Sequence, residues 1–220
     1  MEAMTSYDDE FYRDILEGLA VANDDPWPRD ILDTLTRFPQ PRLGAALNAN
    51  QMASKRWLVD ALAAHAGTAF DRVAVLGGWV GALAAMLLRD GRFVIGHVVS
   101  VDIDPECEAI ACALNASHVR SGRFTARTAD MRALDYAAER FDLVVNTSCE
   151  HVADLARWYA RLPQGQFVVL QSNDYIACAE HVNCVPDLAA FARQTPLREL
   201  RYEGERRMRR YTRFMRIGRL

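Results

Sequence analysis

Two groups of residues in this chain have types and spacings suited to chemistry. The first is Arg72-Val-Ala-Val-Leu-Gly-Gly-Trp-Val-Gly81, followed about twenty residues later by His97-Val-Val-Ser-Val-Asp-Ile-Asp-Pro105. An apolar, β-branched run that stops at glycines suits a strand buried on both faces that feeds a sharp turn. Gly77, Gly78 and Gly81 let the backbone approach a ligand that a Cβ would exclude. Asp102 closes the next run with a carboxylate able to accept both hydroxyls of a ribose. The second group follows two later apolar runs: Asn146-Thr-Ser-Cys-Glu-His151, then Gln171-Ser-Asn-Asp-Tyr175 with Cys178, His181, Asn183 and Cys184 beyond it. His151 and His181 are the natural general bases near neutral pH, although a lone histidine is often a hydrogen-bonded structural residue. Glu150 can orient His151 or sit against a helix dipole. Tyr175 can hydrogen-bond a ligand or lay its ring against a cation. Thr147 or Ser148 can serve as a helix cap, but capping does not use so many polar groups. A nucleotide-sized ligand and a polar reaction site are therefore expected together.

The elements that must position these residues can be read from periodicity. Strands are expected at Arg72 to Leu76, Val98 to Asp102, Phe124 to Ala129, Phe141 to Asn146 and Phe167 to Gln171. Helices are expected at Val80 to Arg89, Pro105 to Asn115, Ala153 to Leu162 and Pro186 to Arg193. This alternation predicts a doubly wound, mostly parallel sheet joined by right-handed crossovers. Leu197 to Glu205 and Arg210 to Gly218 read as two extended stretches around a short turn, an antiparallel hairpin at the carboxyl end. In such sheets ligands bind beyond the carboxyl ends of the strands, which is where both groups fall.

Residues 1–66 read as a helical extension. Helices are expected from Tyr7 to about Ala20, with Phe11, Ile15, Leu16 and Leu19 on one stripe, from Ile31 to Arg37, and from Asn50 to Ala64. Breaks are expected at Asn23-Asp-Asp-Pro-Trp-Pro28 and Pro39-Gln-Pro41. The extension can be a lid over the site or a cover for one edge of the sheet. Residues 67–220 form the ligand-binding domain.

Composition narrows the classes. The 220 residues are 50% apolar and 25% charged, with a net charge of −3, ordinary for one globular domain with an appendage. No apolar run has the length of a membrane span, and the start is acidic where a signal peptide is basic, so a cytoplasmic enzyme is expected. Five cysteines without a Cys-x-x-Cys pair support neither a disulfide framework nor a metal knuckle. Cys149, Cys178, His181 and Cys184 lack ligand spacing, and no metal is expected. Arg206, Arg207, Arg209 and Arg210 can contact nucleic acid, face solvent on the terminal hairpin, or pair with the acidic amino terminus. Lys55 is the single lysine, which reads as a compositional bias. Oligomeric state is not readable.

The succession from glycine turn to terminal hairpin resembles the class I S-adenosylmethionine-dependent methyltransferase superfamily. The likeness covers about Asp71 to Leu220, and it is carried by Val75-Leu-Gly-Gly-Trp-Val-Gly81, Val101-Asp-Ile-Asp104, Thr128-Ala-Asp-Met131 and Phe141-Asp-Leu-Val-Val-Asn146. It implies a seven-stranded sheet whose last strand is inserted antiparallel, and S-adenosylmethionine as methyl donor or as substrate. By position, it puts Gly77 and its neighbours Gly78, Trp79 and Gly81 by the methionine half, Asp102 on the ribose, and Asp130 with Met131 around the adenine, with Asn146 a further cofactor-binding residue. Trp79 departs from the pattern, since a glycine is usual there. A dinucleotide fold would explain neither Thr128-Ala-Asp-Met131 nor the hairpin.

What the resemblance implies is a transferase acting on a small polar metabolite, with Asn146, Glu150, His151, Tyr175 and His181 positioning the acceptor and moving protons. A side branch of the fold, the azetidine-2-carboxylate synthases, instead cyclises the cofactor's own aminocarboxypropyl arm and releases methylthioadenosine. An RNA methyltransferase using the arginine-rich end is a further alternative, lowered by the absence of an Asn-Pro-Pro-Tyr type motif after the fourth strand. The non-enzyme alternative is a binding or scaffold domain that keeps the fold.

Overall fold

The computed structural model describes residues 6–39 and 42–220. Four helices come first: α1 (Ser6–Ala22), α2 (Trp27–Arg37), α3 (Arg42–Leu47) and α4 (Ala49–His65). There follow β1 (Ala69–Leu76), α5 (Ala82–Arg89), β2 (Val94–Asp102), α6 (Pro105–Leu114), α7 (Ala116–Arg120), β3 (Phe124–Thr128), α8 (Tyr136–Glu139), β4 (Leu143–Asn146) and α9 (Leu155–Tyr159). The chain ends with β5 (Phe167–Asn173), α10 (Leu188–Gln194), β6 (Glu199–Arg207) and β7 (Thr212–Arg219). The seven strands form one sheet in the order β3-β2-β1-β4-β5-β7-β6. β1 to β5 pair in parallel, and β7 runs antiparallel between β5 and β6. The expected doubly wound sheet with its terminal hairpin is present.

The order reverses at β1, whose neighbours are β2 on one side and β4 on the other. A crevice opens at the carboxyl ends of strands flanking such a switch point. The central strands are apolar because helices cover both faces: Val73 to Leu76, Leu143 to Val145 and Val168 to Leu170 are buried. One core layer packs α4 and α5 against Val73, Val75, Val145, Val169 and Ile217. The other packs Trp158, Tyr159 and Phe191 against Ala74, Val144, Val168 and Phe214.

Leu58, Val59 and Leu62 of α4 are fully buried in the first of these layers, so α4 is one of the helices that the sheet needs. Leu43 and Ala46 of α3 share a third cluster with Val80, Ile110 and Leu114. Polar bonds rivet the preceding helices: Asp30, buried in α2, accepts from the Ser117 amide at 3.1 Å and its hydroxyl at 2.6 Å, and Arg42 pairs with Asp104 and Glu106. In α1, by contrast, Phe11, Ile15 and Leu19 of the apolar stripe are exposed. Of the Pro39-Gln40-Pro41 break, residues 40 and 41 lie outside the described residues. No helix among the described residues is long and apolar enough to cross a membrane.

Candidate active site

The glycine turn leaves β1 in a conformation that its residues and its neighbours dictate. Gly77 and Gly81 have φ of 60° and 77°, and Trp79 between them has φ of 50°. A side chain in this left-handed region costs roughly 1–2 kcal/mol, which accounts physically for glycine being usual at that position. The Gly78 amide donates to the Val101 carbonyl at 3.0 Å, and a Cβ at Gly78 would collide with Ser100 Oγ. The turn is therefore drawn against the end of β2.

Asp102 completes this brace. Its Oδ2 accepts from the Trp79 amide at 2.8 Å and its Oδ1 from the Asp104 amide at 3.0 Å. An ionised carboxylate has about four acceptor sites, so two remain for hydroxyls of a ligand. Beyond β3, Asp130 caps a single 3-10 turn by accepting from the Arg132 amide at 2.8 Å, and it also pairs with the Arg132 guanidinium. That ion pair holds the Asp130 carboxyl below the usual range.

The opposite wall is built after β4 and β5. Glu150 is 2% exposed. Its Oε1 accepts from Asn173 Nδ2 at 2.6 Å and from Arg213 of β7 at 3.1 Å, while Oε2 has no partner. Arg213 also donates to Gln171 Oε1 and to the Thr147 carbonyl. The rings of His151 and His181 meet edge to face, with centroids 4.6 Å apart. Tyr175 stacks on Tyr211 at 5.6 Å and meets His181 edge-on.

Between the walls lies one cavity of about 980 Å³, toward the upper end of the range for small-molecule sites. Gly77, Gly78, Trp79, Asp102, Asp130 and Met131 line one side, and Glu150, His151, Tyr175 and His181 the other. Two expected residues stand behind the wall. Asn146 is fully buried, with Nδ2 3.4 Å from Met131 Sδ and Oδ1 accepting from the Ser148 amide at 2.9 Å, so it shapes the loop carrying Glu150. Gly81 starts α5, and its carbonyl accepts from Asn115 Nδ2 at 3.2 Å. A Cβ there would meet Ala111 and Asn115, so this glycine serves the packing of α5 on α6.

Sequence reasoning missed the contribution of α4 and of the β6–β7 turn. Asn50, Gln51 and Lys55 line the cavity with Tyr211 and Arg213. Asn50 Nδ2 donates to the Tyr211 hydroxyl at 3.2 Å, joining the two elements. Lys55 donates to Gln51 Oε1 at 2.9 Å. Burial, together with the nearby Arg213 charge, lowers its ammonium to about 8. No local signal marks Lys55, because it reaches the cavity only once α4 packs on the sheet. Cys149, fully buried, has its thiol pushed well up by burial and is no nucleophile. Arg206, Arg207, Arg209 and Arg210 are exposed around the β6–β7 turn.

Residues 75–164 match a family model described as a methyltransferase domain. The protein has the class I methyltransferase fold. It is similar to the N-methyltransferase NodS from Bradyrhizobium japonicum WM9 in complex with S-adenosyl-L-homocysteine, at 14% identity over 85% of this chain and 98% of that one, with a TM-score of 0.62. It is also similar to magnesium protoporphyrin IX methyltransferase (ChlM) from Synechocystis PCC 6803 with bound S-adenosylhomocysteine, at 15% identity over 78% and 84% of the two chains and a TM-score of 0.59. A third likeness is to the [4+2]-cyclase SpnF, at 15% identity over 72% and 64% and a TM-score of 0.54. No curated protein matches this chain. Within this methyltransferase fold the family match runs from Val75, at the end of β1, to Gln164, and so includes the glycine turn, Asp102, Asp130, Glu150 and His151.

Proposed function

We propose that this protein is an S-adenosylmethionine-dependent transferase, a methyltransferase acting on a small polar metabolite. The observation that carries the reading is that the glycine turn with Asp102 and the Glu150–His181 cluster face each other across one cavity. The donor set fits the cofactor. Asp102 has free acceptor sites for ribose hydroxyls, Met131 and Ile103 offer apolar surface for the adenine, and the Gly77–Gly78 backbone leaves room for the methionine half. S-adenosylmethionine supplies a methyl group on a sulfonium, already activated for transfer.

The chain's own part is positioning and proton management. Holding an acceptor in line with the methyl group accounts for most of the advantage such an enzyme can provide. Glu150, His151, Tyr175 and His181 orient the acceptor, with the Tyr175 ring held by its stacking on Tyr211. Lys55 can take a proton once the pH exceeds about 8, because burial favours its uncharged amine.

Incubation with S-adenosylmethionine tests the reading. Formation of S-adenosylhomocysteine only when a small-metabolite extract is added supports it. Methylthioadenosine formed without any acceptor would replace it with cyclisation of the cofactor, and turnover that needs RNA would replace it with nucleic-acid methylation.

A further inference from the structure

Glu150, His151 and His181 also have the donor types of a metal site, which orienting an acceptor does not by itself require. One potential ligand atom from each lies within 4.8 Å of the others. One atom of each of these side chains is already committed to a neighbour. Nδ1 of His151 is 3.1 Å from the Glu180 carbonyl, and Nδ1 of His181 is 2.9 Å from the Tyr175 carbonyl. A carbonyl oxygen only accepts, so in the neutral ring each Nδ1 carries the proton and each Nε2 keeps its lone pair. Metal-bound histidines show this division, one nitrogen on the ion and the other N–H held by a carbonyl.

Glu150 divides in the same way. Asn173 and Arg213 occupy Oε1, while Oε2 is buried and has no donor, on a side chain that belongs to the cavity wall. Leaving a buried acceptor without a partner costs about 1–3 kcal/mol, and more for a charged group. A cation at Oε2 would remove that cost. The Arg213 guanidinium, on the far oxygen, does not block it.

We propose that Glu150, His151 and His181 bind a divalent first-row transition metal ion, of the Zn²⁺ or Fe²⁺ type. Two imidazoles and one carboxylate suit these ions better than Mg²⁺ or Ca²⁺, which take oxygen ligands. Ligands about 2.0–2.2 Å from one ion stand roughly 3–3.5 Å apart. The three ligand atoms lie within 4.8 Å of one another, so binding an ion asks the side chains to close by roughly 1–2 Å. Three protein ligands leave coordination positions open toward the cavity, where an acceptor with adjacent oxygen or nitrogen donors can chelate. That use of the ion rests on the transferase reading; the ion site itself does not.

The test is titration of the metal-free full chain with Zn²⁺ and Co²⁺, without S-adenosylmethionine, followed by calorimetry and by the visible absorption of bound Co²⁺. One equivalent is expected to bind, with Co²⁺ bands of low coordination number and no competition from millimolar Mg²⁺. His151→Ala, His181→Ala and Glu150→Gln are each expected to weaken binding by at least the roughly 10- to 100-fold typical of losing an outer-shell partner, with the fold checked by circular dichroism. His151 is exposed, so its variant keeps the test decisive if the buried Glu150 variant fails to fold. Absence of Zn²⁺ and Co²⁺ binding in the wild type, or equal binding in a folded His151→Ala variant, would overturn the site. S-adenosylhomocysteine affinity measured on the same samples separates the two readings: its absence with metal binding intact would remove the transferase reading alone.

Discussion

Arg213 of β7 donates to Oε1 of Glu150 at 3.1 Å, joining positions 63 residues apart in a buried ion pair. The antiparallel insertion of β7 beside β5 makes the contact, since Asn173 of β5, the partner of Arg213 in register, donates to the same oxygen. The antiparallel strand inserted beside β5 thus also fixes the loop after β4 that carries Glu150 and His151.

Breaking this pair from one side is expected to be costly. Arg213→Met leaves Glu150 buried without its counter-charge, and a loss of about 3–5 kcal/mol in stability follows. Glu150→Gln combined with Arg213→Met is expected to be more stable than Arg213→Met alone. Denaturant unfolding of the two single variants and the double variant measures the coupling, and additive costs would show that the two residues act independently.

Asp102 both braces the glycine turn and faces the cavity. Asp102→Ala removes charge-assisted hydrogen bonds worth about 1.5–3 kcal/mol. S-adenosylhomocysteine affinity is expected to fall by about 10- to 100-fold, a range that follows from that energy, and the melting temperature to drop as well. Calorimetry with parallel thermal unfolding checks both, and unchanged affinity would count against the assignment of the ribose to this carboxylate.

At Trp79 the backbone and the side chain pull in opposite directions. The left-handed φ of 50° disfavours any side chain, while the half-buried indole packs against the Leu43 and Val80 cluster. Trp79→Ala loses the packing and keeps the strain, whereas Trp79→Gly loses the packing and relieves it. Trp79→Gly is therefore expected to be the more stable of the two by about 1 kcal/mol, as read by chemical denaturation.

Lys55 predicts a pH limb. Its amine carries a proton below about 8, so turnover is expected to rise with pH and to level off above that value. Lys55→Met is expected to lower the plateau rate and to flatten the limb. Stability follows the same linkage. With a folded value of about 8 and an ordinary value of 10.5, the unfolded chain binds the extra proton between the two. This residue's contribution therefore rises across that window, is complete above it, and is lost as pH falls through 8. Comparing wild type with Lys55→Met across this range isolates the contribution.

The strands and the main crossover helices could be read in the sequence because their signals are local. The run ending at Leu76 and the helix starting at Pro105 appear as expected, and the two extended stretches at the carboxyl end appear as strands Glu199–Arg207 and Thr212–Arg219, displaced by a residue or two. Helices α3, α7 and α8 did not show, since none exceeds six residues and so short a stretch carries no periodic pattern. β2 starts at Val94, before the expected Val98. Its first residues lie toward the outer end of the strand and include Gly96, where a Cβ would press on the Asp71 carbonyl.

For the site, one-dimensional reading found the residues on the strand ends, because in a parallel α/β sheet the carboxyl ends converge whatever the loops do. Gly77, Asp102, Asp130, Glu150, His151, Tyr175 and His181 all reach the cavity for that reason. It could not separate Asn146, one residue from the wall and turned behind it, from its neighbours. Nor could it assign Lys55, whose significance depends on α4 packing into the core and on Arg213 arriving from β7. The sequence by itself determined the order of elements and the end of the sheet where chemistry would sit, since both follow from local hydrophobic period and turn residues. Only the tertiary structure decided which atoms stay free, because a free Oε2 on Glu150 or a free Nε2 on a histidine depends on partners that distant segments supply.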